Sequence, residues 1–210
     1  MANFKTHISW GVVLAIALIV FGLVGSFVSG FQLIFWIFLA VLIGSFLPDV
    51  DSDGGLPFQM IFGLAGLILA GACFYYFFQN EEKDWRILAG LPVLLFIFVR
   101  FVLGFIFQKM TRHRGIFHSI PAGILAGLIT VWFLQYFPID FNQKIVLGAS
   151  VLAGYLGHLI LDEIYSTINL KGFSMLPKKS LGSALKFWSS SKTATLLIYF
   201  LLLSFAYLIF

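Results

Sequence analysis

WGVVLAIALIVFGLVGSFV, Trp10 to Val28, contains no charged side chain and one hydroxyl. At about 1.5 Å of rise per helical residue, such a run crosses the ~30 Å hydrocarbon core of a bilayer. It does not alternate polar with apolar, so it reads as a helix and not as a barrel strand. Lys5 ahead of it raises the question of a signal peptide. The run is long enough to span and no small-x-small cleavage pattern follows, so we read it as a retained first helix.

Comparable runs recur at about 31–47, 57–78, 87–107, 117–137, 146–167 and 193–210. With the first, at about 9–28, they make seven candidate spans. The range is six to eight, because the second is short and the last runs to residue 210. The chain is 60% hydrophobic and only 10% charged, with its charges in short clusters between the runs. A soluble domain does not need that much apolar surface. The expected fold is all-α: one polytopic transmembrane helix bundle over residues 1–210, with no soluble extension, linker or internal repeat. Ser29-Gly30 is expected to close a tight hairpin between the first two helices. Gly63, Gly66, Gly71, Gly123 and Gly127 recur at spacings that suit close helix contact. The single cysteine, Cys73, excludes an intramolecular disulfide and a Cys-based zinc site.

Lysine and arginine orient the bundle. With the N-terminus inside, the inner segments carry Lys5, Lys109, Arg112, Arg114, Lys171, Lys178, Lys179, Lys186 and Lys192. The outer segments carry Lys83, Arg86 and Lys144, and Arg100 falls within the fourth span. Nine against three is a clear inner bias. The net charge of +4 then suits anionic headgroups, and nucleic acid is not an expected partner.

On this topology all four histidines gather at the inner face. His7 precedes the first helix, His113 and His118 flank the start of the fifth, and His158 lies in the inner half of the sixth. Asp49, Asp51, Asp53, Asp162 and Glu163 join them, whereas Glu81, Glu82, Asp84 and Asp140 sit in outer loops. The positive-inside rule concerns Lys and Arg only, so it does not require this gathering. His158 and Asp162 are four apart and project from one helix face, where an ionisable pair is costly in a span. They present a nitrogen and an oxygen ligand together, or Asp162 holds the His158 tautomer. Asp49, Asp51 and Asp53 close the second helix, and such alternating carboxylates repel unless a cation or Arg114 lies between them. In RHRGIFHS, residues 112–119, Gly115 lets His113 and His118 turn toward one ion, and Arg114 suits a phosphate oxygen. The candidate metal ligands are His7, Asp49, Asp51, His113, His118, His158 and Asp162. That is more than one tetrahedral zinc needs, and it suits two ions or one ion with an outer layer of carboxylates. Nitrogen and oxygen donors without Cys favour Zn, Mn, Fe or Ni over Mg or Ca.

Thr6-His7, Leu47-Pro48-Asp49-Val50-Asp51, His113-Arg114-Gly115-Ile116-Phe117-His118-Ser119 and Gly157-His158-Leu159-Ile160-Leu161-Asp162 together resemble the successive motifs of the YdjM-like inner-membrane family. The resemblance runs from residue 6 to about 177, including Gly172 and Pro177. Members are described as predicted membrane-bound metal-dependent hydrolases, grouped by motif with zinc-dependent phospholipase C and P1-type nucleases. The resemblance implies a His/Asp phosphodiesterase site. The chain departs from it at Ser52-Asp53, where many relatives have a histidine after the second aspartate.

The leading expectation is a hydrolase with one or two divalent ions, Zn first and Mn or Fe next. It acts on a phosphoester of a lipid or lipid-linked substrate at the cytoplasmic leaflet of the inner membrane. Asp51 is the candidate general base or bridging ligand, Arg114 the phosphate clamp and Ser119 a hydrogen-bond donor. The lysine- and aromatic-rich segment Lys171 to Lys192 is either an interfacial flap on an anionic surface or an ordinary inner loop. The alternatives are a metal- or proton-coupled transporter and a scaffold with a structural metal. A transporter predicts polar groups near the midplane and inverted repeats, and a structural site predicts a closed ligand shell.

Overall fold

A computed structural model describes residues 3–51, 55–82, 84–110, 115–167, 185–189 and 191–210. Among them are seven helices and no strand, as expected. They are α1 (Phe4–Val24), α2 (Phe31–Phe46, prolonged by a 3-10 turn, Leu47–Asp51), α3 (Leu56–Gln79) and α4 (Arg86–Lys109). α5 (Ile120–Leu134), α6 (Phe141–Thr167) and α7 (Lys192–Ile209) follow. Six are long and apolar enough to cross a membrane. Large apolar side chains such as Phe21, Ile68, Phe78, Phe200 and Leu203 lie more than half exposed on their outer faces. Water does not tolerate so many of them, and lipid does. The protein is a multi-pass membrane protein.

Several helix ends depart from the sequence reading, each for a local reason. α1 begins at Phe4, so His7 lies inside its first turn and not ahead of it. Asn3 caps this end, its side chain accepting from Thr6 N at 2.8 Å. α1 also ends early, at Val24. The Phe27 and Val28 N–H groups both donate to Gly22 O, Ser26 and Gly30 take positive φ, and Val28 folds back against Gly22. The hairpin is therefore wider than Ser29-Gly30 alone. α5 opens only after the Ser119 cap and Pro121 and covers 15 residues, about 22 Å, too short for a full span by itself.

The described residues fall into two compact units, 1–48 with 114–210, and 49–113. In the first, α6 is the most buried of the spans, and α1, α2 and α5 all pack on it. Glycine makes the approach possible. A methyl group at Gly154 would run into the Val41 carbonyl of α2, and one at Gly44 into the Val151 carbonyl of α6. Gly127 and Gly148 meet backbone to backbone between α5 and α6, and Gly157 faces Trp10 and Leu14 of α1. Of the other glycines expected at contacts, Gly123 faces Tyr155 and Gly66 faces Phe96. Gly63 and Gly71 have no neighbour within 4 Å among the described residues.

In the second unit, α3 and α4 pair as a hairpin. α4 widens into π-helical turns at Arg86–Gly90 and Phe98–Leu103. Gly104 leaves room for the Phe58 ring, which stacks obliquely on Phe62.

Candidate metal centre

Three of the four histidines and one aspartate meet inside the first unit, each no more than 1% exposed: His7, His118, His158 and Asp162. They come from the first turn of α1, the residue before the α5 cap, and two successive turns of α6. The glycine contacts explain the meeting, since α6 can carry His158 and Asp162 among three neighbours only where backbones touch.

The His7 and His158 rings stack, centroids 3.7 Å apart and 11° from parallel. The His118 ring stands edge-on to His158 at 5.6 Å. Asp162 reaches both stacked rings, with Oδ1 3.4 Å from His7 Nε2 and Oδ2 4.0 Å from His158 Nε2. His7, His158 and Asp162 each offer a ligand atom, all within 4.8 Å of one another. Two ligands each roughly 2.0–2.1 Å from a tetrahedral zinc stand roughly 3.3–3.5 Å apart. The His7–Asp162 separation, 3.4 Å, falls in that range, and the His158–Asp162 separation, 4.0 Å, is longer. This buried His/His/Asp group has the donor chemistry and spacing to hold a divalent metal ion.

The outer layer supports the same conclusion. His158 Nδ1 lies 2.8 Å from Ser45 O, and a carbonyl can only accept, so Nδ1 carries a proton and Nε2 is the nitrogen turned toward Asp162. The tautomer is thus held by the α2 backbone and not by Asp162. His7 Nδ1 has no hydrogen-bond partner among the described residues. The Tyr155 hydroxyl donates to Phe117 O and so ties α6 to the peptide that carries His118. Neither Ser45 nor Tyr155 stands out in the sequence. A backbone carbonyl has no residue-type signature, and one tyrosine in an apolar helix reads as packing.

Ser119 lies beside the cluster as the α5 N-cap. Its Oγ accepts from Ala122 N at 3.4 Å and donates to Ile116 O at 2.5 Å, and Ile120 N–H donates to Lys186 O. Ser119→Ala is expected to cost about 1 kcal/mol in an unfolding titration, with Ser119→Thr close to wild type. Asp49 and Asp51 lie on the 3-10 turn and belong to the second unit, and Asp51 is buried. His113, Arg114 and Asp53 fall outside the described residues, as does residues 171–184 of the lysine-rich segment.

No curated protein and no solved structure was found to match this chain. A family model described as YdjM inner membrane protein matches residues 1–210, the motif residues His7, His118, His158 and Asp162 among them, and the chain belongs to that family.

Proposed function

We propose that this protein is a metal-dependent hydrolase cleaving a phosphoester of a lipid or lipid-linked substrate at the cytoplasmic leaflet. The observation that carries the reading is the convergence of His7, His158 and Asp162 within 4.8 Å, together with the Nδ1 proton of His158 given to Ser45 O. Two imidazole nitrogens brought beside one buried carboxylate suit a shared cation.

A divalent cation, Zn first and Mn or Fe next, would when bound supply Lewis acidity toward a phosphoryl oxygen and lower the pKa of a water. His7, His158 and Asp162 would hold it, with Ser45 O fixing the His158 ring and His118 as a further nitrogen donor. The α5 N-terminus that begins at Ser119 adds a positive dipole end suited to a phosphate. The sequence offers further candidates beside these: Asp51 as general base or bridging ligand, Asp49 and His113 as ligands, and Arg114 as phosphate clamp. Inner placement follows from the lysine and arginine bias. His158 lies nine residues before the end of α6 at Thr167, about 14 Å along the axis, a depth that suits a headgroup better than a soluble substrate.

The test is hydrolysis of a panel of phospholipids and lipid-linked phosphates by detergent-purified protein with Zn or Mn, against Asp162→Asn. Release of a phosphorylated or dephosphorylated headgroup by the wild type, falling at least ~100-fold in the variant, is the expected result. A protein that holds metal stoichiometrically but turns over nothing in the panel, while metal raises its unfolding temperature, would instead make the site structural.

A further inference from the structure

Arg100 is the only charged residue between Arg86 and Lys109, the ends of α4. It lies nine residues from Lys109, about 14 Å along the helix, in an otherwise apolar span. A guanidinium is a permanent cation with five N–H donors, and hydrocarbon satisfies none of them. Glu81, Glu82 and Asp84 lie at the far end of the α3–α4 hairpin, and no ion pair joins Arg100 to a carboxylate among the described residues.

The surroundings are arranged around this cation. The guanidinium carbon sits 5.7 Å from the centroid of the Phe58 ring and 5.4 Å from that of Phe101. Phe58 is the third residue of α3, so the side chain reaches toward the end of the hairpin where α3 begins and α4 finishes. Gly104, one turn beyond Arg100, makes the space for Phe58: a Cβ there would meet the Phe58 ring tip at 2.9 Å. Arg100 itself belongs to the π-helical turn Phe98–Leu103, and wide turns of this kind recur at functional positions. Aromatic faces hold the cation without occupying its in-plane N–H donors, and Arg100 remains partly exposed.

We infer that Arg100, set between Phe58 and Phe101, is a binding site for a phosphate group, which its planar fork grips through paired N–H donors. The site lies wholly within the α3–α4 unit and does not depend on the metal centre. A phospholipid headgroup and a free phosphate share the required chemistry. The apolar span around Arg100 favours a phosphate that arrives with acyl chains.

The experiment is equilibrium binding to detergent-solubilised, metal-free, full-length protein. The probes are short-chain phosphatidate, the matching diacylglycerol and inorganic phosphate, tested on wild type, Arg100→Lys and Arg100→Gln. Saturable phosphatidate binding is expected, weakened about tenfold by Arg100→Lys and abolished by Arg100→Gln, with none for diacylglycerol. Lys keeps the charge and loses the fork, so it also decides the matter if the Gln variant fails to fold. Inorganic phosphate binding as tightly as phosphatidate would assign the site to the free ion, and much weaker binding assigns it to lipid. Phosphatidate binding unchanged in Arg100→Lys and Arg100→Gln, or diacylglycerol binding as tightly, would overturn the inference and leave Arg100 as a snorkelling cation.

Discussion

Purified wild-type protein is expected to retain a divalent metal, and His158→Ala protein to lose it. Apparent affinity should fall by more than ~100-fold, since even residues that only orient a ligand are worth roughly 10–100-fold. His158 combines three features: its Nδ1 proton is committed to Ser45 O, its ring stacks on His7, and its Nε2 faces Asp162. Removing it takes away a ligand and the alignment of the His7 ring at once. His7→Ala should weaken binding as well, but by less, because His158, Ser45 and Asp162 remain in place. Metal content by mass spectrometry, beside unfolding with and without added Zn, reads both effects. Metal at one hundred times its Kd should stabilise the wild type by about 2.7 kcal/mol and leave His158→Ala nearly unmoved. A wild type that carries no metal, and whose unfolding ignores Zn and Mn alike, would sink the metal centre. The cluster would then be a hydrogen-bonded polar core.

The parts of this centre that follow from periodicity and hydropathy were legible without a structure. His158 and Asp162 share a helix face because four residues complete about one turn. His7 and His118 join them because hydropathy and lysine bias bring the start of α1 and the start of α5 to the same side. What sequence did not show was who partners whom. Asp162 lies closer to His7 than to its own helix neighbour, 3.4 against 4.0 Å, because α1 approaches α6 over Gly157. The Ser45 carbonyl was invisible for a different reason. Every residue has such a group, and only the meeting of α2 with α6 selects this one. Hydropathy also overran α5, since it counts apolar residues on both sides of a cap and cannot see that Ser119 and Pro121 start the helix late.

Gly154→Leu is expected to cost more than ~4 kcal/mol of stability, the range reserved for severe backbone or core disruption. Even the first added carbon would overlap the Val41 carbonyl and stand 3.0 Å from Ser45 N, both backbone atoms of α2. A flexible side chain could swing aside, but a helix backbone can yield only by moving as a body. In lipid, where no hydrophobic force drives helices together, such close contact is much of what holds them. Separating α2 from α6 would also draw Ser45 O away from His158 Nδ1, so the substitution should release metal without touching a ligand. Gly63→Leu is the control, since that position has no neighbour within 4 Å among the described residues. Reversible unfolding in mixed micelles, followed by helicity and by metal content, separates the outcomes. If Gly154→Leu unfolds like Gly63→Leu and keeps its metal, the α2–α6 backbone contact does not position the site. If stability falls but residual folded protein still binds metal normally, α6 alone carries the ligand geometry and Ser45 O is dispensable.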